Sequence, residues 1–120
     1  MTCEYKEHAA LRTVEIIING KVTEEDFDNI TSKMEAFIKA HGKIKIIEII
    51  KDLSGFELTT LGKGIKFDIE HLKDFTHCAV VSNHGWIGPF ARMMSPFFSI
   101  EIKTFNLDEE QQARDWLETA

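Results

Sequence analysis

Within the segment Lys43–Lys51, isoleucine occupies positions 44, 46, 47, 49 and 50. Successive side chains on a strand point to opposite faces of a sheet, so this segment is apolar on both faces. A strand of that kind is stable only when both faces are covered, as parallel strands are. The chain must therefore supply helices that pack on a sheet, which points to an α/β fold.

The remaining elements follow as an alternation. Thr2–Glu7 carries a weak strand signal, and a turn is expected around His8–Leu11. Arg12–Asn19 sets Val14, Ile16 and Ile18 on one face, with Gly20 expected to end the strand. Thr23 is a good N-cap, and Asp26 three positions later supplies a weaker form of the capping box. Phe27, Ile30, Met34, Phe37, Ile38 and His41 then fill a helical arc of roughly 100°, which Gly42 is placed to stop. After the isoleucine strand come a loop over Asp52–Glu57 and a helix from about Thr59 to Asp74. A short strand His77–Ser82 and the turn Asn83-His84-Gly85 lead to an apolar helix that breaks at Pro96. Ile100, Ile102 and Thr104 alternate in a last strand. Asp108 with Gln111 is expected to cap a final helix that turns Ala113, Trp116 and Leu117 inward.

The resulting order is β-β-α-β-α-β-α-β-α in a single domain over residues 1–120, with four main helices. Short strands separated by helices require right-handed crossovers and a mostly parallel sheet. The first strand, joined by a short turn, is expected as an antiparallel edge.

Charge and cysteine usage narrow the function classes. The net charge is −6, and residues 1–58 carry 8 basic and 11 acidic side chains, 59–94 carry 4 and 3, and 95–120 carry 2 and 6. No basic stripe is present to neutralise phosphates, so nucleic-acid binding is not expected. Cys3 and Cys78 form no metal-type spacing, and Cys78 reads as a small buried hydrophobe. The opening residues lack the apolar core of a secretory signal, and no window is apolar enough for a membrane span. A cytoplasmic protein is the expectation.

The largest apolar concentration runs from Trp86 to Phe98. On a helix, Trp86, Ile87, Phe90, Ala91, Met93 and Met94 fall on an arc roughly 160° wide, against about 100° for a helix docked on one core. Burying a large apolar side chain is worth roughly 1.5–3 kcal/mol. Exposing Trp86, Phe90, Met93 and Phe97 together would forgo on the order of 6–12 kcal/mol, comparable to the stability of a whole domain. This surface fits simple core packing, a homodimer interface or a pocket for an apolar ligand, and adjacent methionines suit an adaptable contact. In the preceding helix, Leu61, Ile65, Ile69, Leu72 and Phe75 form the core stripe. Gly64, Phe67, His71 and Asp74 form another, which either lines a pocket or contacts a partner, or else tucks Phe67 under a neighbouring helix with His71 as a partly solvated flank.

Several short segments together resemble a known family. They are Gly20-Lys21-Val22-Thr23 with Asp26-Phe27, His41-Gly42-Lys43 before the isoleucine strand, and Lys66-Phe67 with His71-Leu72-Lys73-Asp74-Phe75. Trp86 in the next helix and Ala113-Arg114 with Trp116-Leu117 complete the set. In this order and spacing they resemble the SpoIIAA-like proteins of the STAS/Sec14-like group, small bacterial proteins with the anti-sigma-factor-antagonist fold. The resemblance implies a (βα) superhelix without a catalytic role. It suggests protein–protein contact, as in STAS domains, or lipid-like ligands, as in the Sec14 relatives. Signalling STAS antagonists carry an Asp-Ser-Ser-Gly-type motif where a serine is phosphorylated. The counterpart here is Glu57-Leu58-Thr59-Thr60-Leu61-Gly62, in which Thr60 could accept phosphate at a helix N-terminus or simply act as a cap.

No residue set spells out a reaction. His77 and Cys78 are neighbours on a strand and point to opposite faces, and the five histidines lack a metal-ligand spacing. The expectation is a non-enzymatic binding domain with no cofactor and no metal. It would bind an apolar or lipid-like small molecule, or a protein, through Phe67, His71, Trp86, Phe90, Met93, Met94 and Phe97, as a homodimer. The alternative is a regulatory protein-interaction module switched at Thr60. An enzyme would require a cleft that brings His71 or His84 to a carboxylate.

Overall fold

The isoleucine strand lies at the centre of the sheet, as its two apolar faces require. A computed structural model describes residues 3–56, 74–83 and 101–120. They form β1 (Cys3–His8), β2 (Thr13–Val22), α1 (Glu24–His41), β3 (Ile44–Phe56), β4 (Phe75–Ser82), β5 (Glu101–Phe105) and α2 (Glu110–Thr119). Single 3-10 turns over Ala9–Leu11 and Leu107–Glu109 precede β2 and α2.

The strands lie in sequence order, β1-β2-β3-β4-β5. β1 runs antiparallel to β2 at one edge, and the three remaining pairs are parallel. The sheet is thus mixed, with the antiparallel strand where the short connection demanded it. Of the four helices expected, α1 and α2 are the two among the described residues. Those over Thr59–Asp74 and from Trp86 onward lie almost wholly outside them.

Each sheet face has its own core. Val14 and Ile16 of β2, Ile44 and Ile46 of β3 and Phe75 of β4 pack against Met34, Phe37 and Ile38 of α1. Ile47, Ile49, Ala79, Val81 and Phe105 pack on the other face against Ala113 and Leu117 of α2. Cys78 is half-buried at the border of the α1 core, more open than a buried hydrophobe. No helix of the described residues is long and apolar enough to cross a membrane.

Local signals placed α1 as the sequence predicts. Asp26 N–H donates to Thr23 Oγ1 at 3.1 Å and Thr23 N–H to Asp26 Oδ2 at 3.2 Å, a reciprocal capping box. At the other end Gly42 N–H donates to the Ile38 carbonyl at 2.7 Å, with Gly42 at φ +79°.

Four boundaries differ from the expectation. β2 does not end at Gly20 but continues to Val22, because Gly20 takes φ +132° and register shifts on both sides absorb the irregularity. That extension pairs Asn19–Val22 with the far end of β3, which stays a strand to Phe56 where a loop was expected. Phe75 opens β4 and does not close a helix; it pairs with Ile44 and is buried. The last helix starts at Glu110, after a turn in which Asn106 N–H donates to Glu109 Oε1 at 2.8 Å, so Asn106 and Glu109 take the place expected of Asp108 and Gln111.

Candidate functional site

Thr60, Phe67, His71, Trp86, Phe90, Met93, Met94 and Phe97 all lie outside the described residues. The described residues instead bring together two polar groupings on the α2 side of the sheet, neither marked by a sequence motif.

The first is centred on Glu15. Alternation along β2 turns Val14 and Ile16 toward α1 and leaves Glu15 on the α2 face, where it is 3% exposed. Arg114 of α2 donates from Nη1 to Glu15 Oε1 at 2.8 Å, and His8 Nε2 lies 3.0 Å from the same oxygen. Arg114 also pairs with Glu110 one helical turn earlier, at 3.1 Å. The hydrogen bond from Arg114 holds the Glu15 carboxyl below the usual carboxylate range, against the opposing effect of burial. Arg114 is correspondingly raised, chiefly by its bond to Glu15. A carboxylate held in this way is a poor proton acceptor near neutral pH, so the group ties helix to sheet and is not suited to general-base work.

Nearby, Trp116 meets His77 edge-on at 5.5 Å and Phe105 at 6.2 Å, with Lys103 Nζ 5.9 Å above its ring. His77 reaches Glu101 Oε2 at 3.4 Å. On the opposite face, Tyr5 donates to Glu7 at 2.7 Å, and burial followed by that bond raises its phenol. Among the described residues no group of three or more His, Cys, Asp or Glu side chains is arranged to hold a metal ion.

The second grouping lines a recess of about 380 Å³ where the amino-terminal ends of the parallel strands meet the end of α2. Its walls are Ala10, Leu11, Arg12, Lys43, Lys45, Thr76 and Glu118. The backbone around it is pinned. Arg12, in the left-handed conformation at φ +49°, donates from N–H to the Ala9 carbonyl at 3.1 Å and accepts from Lys45 N–H at 2.8 Å. Thr13 Oγ1 donates to the Leu11 carbonyl at 3.0 Å, and Ile44 N–H donates to the Asp74 carbonyl at 2.7 Å. Lys45 Nζ donates to the carbonyls of Leu117 at 2.6 Å and Ala120 at 2.9 Å, which sets its charge at the negative end of α2. Sequence reading passes over this recess because its basic rim joins two separate chain segments, Arg12 from one and Lys43 and Lys45 from another.

Comparison with known proteins supports the architecture. A family model described as SpoIIAA-like matches residues 13–118. A crystal structure of an uncharacterised protein from Shewanella loihica, of the DUF3478 family and with a SpoIIAA-like fold, superposes with a TM-score of 0.75 at 22% identity. That superposition covers 96% of this chain and 91% of the other. Among curated proteins no significant match is found.

Proposed function

The chain belongs to the SpoIIAA-like family, and from that membership we propose that it is a non-catalytic interaction domain of the STAS type whose activity is to bind a partner protein. The observation that carries this reading is the SpoIIAA-like match over residues 13–118, and Glu15 agrees with it. The carboxylate most deeply buried among the described residues is held by Arg114 and His8 in a scaffold role. In this reading the domain acts in the cytoplasm, and the contact surface is formed by the residues that the sequence singles out: Trp86, Phe90, Met93, Met94 and Phe97, with Phe67 and His71.

A second reading is favoured by the width of that apolar arc, roughly 160° on a helical wheel. It is a homodimer interface that encloses an apolar or lipid-like molecule. A phosphate on Thr60 would make the protein-binding reading a switch.

Native mass spectrometry of the full chain from its own cells separates these readings. The expected result is a complex with another protein, lost in Phe90→Ser/Met94→Glu while circular dichroism stays unchanged. A doubled mass carrying a lipid adduct supports the second reading, and a phosphate adduct on Thr60 supports the switch. A bare monomer of 13.8 kDa under all conditions overturns both binding readings.

A further inference from the structure

The geometry points to the recess between the strand starts and the end of α2 as a binding site for a phosphate monoester that carries an apolar organic group. This site shares no residue with the apolar helix, so either assignment can fail without the other.

Charge is the first argument. The chain has a net charge of −6, yet this recess is lined by three cationic side chains against the single carboxylate of Glu118. Lys45 directs two of its hydrogens to the backbone oxygens of Leu117 in α2 and of Ala120 just past it, whereas Arg12 and Lys43 make no side-chain hydrogen bond or ion pair among the described residues. A phosphate monoester carries about −1.5 to −2 near neutral pH, which matches this excess; a lone carboxylate would leave one cation unanswered. A guanidinium fork beside an ammonium is also the donor set suited to three phosphate oxygens.

Size and lining give the organic part. A volume of about 380 Å³ exceeds the needs of an inorganic ion and falls within the range of small-molecule sites. Ala10 and Leu11 form an apolar wall, and Leu11, 46% exposed, is the large apolar side chain most open to water among the described residues. Covering it favours a ligand with an apolar group next to its phosphate.

Preorganisation is the third argument. Arg12 is the non-glycine residue at positive φ among the described residues, and hydrogen bonds through both its N–H and its C=O fix it there. A strained backbone held on both sides fixes the starting point of the side chain before any ligand arrives.

The test is an amide chemical-shift titration of the full chain with phenyl phosphate, inorganic phosphate and phenol, alongside sedimentation with phosphatidylcholine vesicles with and without phosphatidic acid. Phenyl phosphate is expected to shift Leu11, Arg12, Lys43, Lys45 and Thr76 saturably and to bind more tightly than inorganic phosphate, with no response to phenol. Arg12→Asn, which keeps a residue tolerant of the left-handed conformation, and Lys43→Gln should each weaken binding about tenfold or more. Cosedimentation that needs phosphatidic acid and is lost in Arg12→Asn would assign the same site to a lipid headgroup, whereas shifts without cosedimentation assign a soluble ester. Equal affinity for inorganic phosphate, unchanged affinity in both variants, or no response in either arm would overturn the proposal.

Discussion

Glu15 carries its charge beneath α2 because Arg114 meets it there, and the two positions stand 99 residues apart in the chain. Sequence reading had no means to pair them. An acidic residue within a β-branched strand reads as the solvent face, and only the docking of α2 makes it interior. Removing one partner of such a pair strands the other charge. Arg114→Met is expected to cost about 3 kcal/mol in urea unfolding at neutral pH, and adding Glu15→Gln should recover much of it. The pH dependence has a definite sign. Because the folded-state value of Glu15 is lowered, its contribution is full above the unfolded value of about 4.3 and is lost as pH falls through the lower folded value. Glu15→Gln should lack that part of the acid limb, and an unchanged acid limb would contradict the account. Arg12 and Lys43 escaped notice for the same reason as Glu15: their significance arises only where separate segments converge.

Elements whose signals are local were legible, and those whose limits depend on a neighbour were not. Thr23, Asp26 and Gly42 mark both ends of α1 within the helix's own sequence, and the structure uses all three. At Gly42 the requirement is conformational. An added Cβ would meet nothing within 4 Å, yet φ is +79°. Gly42→Ala is therefore expected to destabilise by about 1–3 kcal/mol through backbone strain alone, measured as a lowered urea midpoint with an unchanged slope. A neutral effect would mean that the backbone relaxes to another conformation. β3 shows the opposite case. Asp52, Ser54 and Gly55 have loop composition, but the extension of β2 past Gly20 offers backbone partners that override it. The apolar arc and the Phe67/His71 stripe are expectations from side-chain periodicity alone, and their residues lie outside those described.

For the molecule as a whole, the isoleucine strand carried the most information, since two apolar faces demand a covering layer on each side. The structure meets that demand with α1 on one side and α2 on the other. What periodicity could not reveal is how the pairing keeps its faces consistent across the sheet. Along β4 the register steps from Ile44 opposite Phe75 to Lys45 opposite His77, with Thr76 as the additional residue between them. The bulge lets Phe75 and Cys78 share the α1 side although they are three positions apart. Shortening the chain by Thr76 would place them two apart, on the same side, in an uninterrupted ladder. A deletion of Thr76 should thus change folding stability by about 1 kcal/mol or less, and loss of cooperative unfolding in a thermal melt would contradict this. Thr76 also lines the recess that holds Arg12, Lys43 and Lys45. The strand holds one residue more than its ladder uses, and that surplus length sits beside the cluster of positive charge that Arg12, Lys43 and Lys45 form.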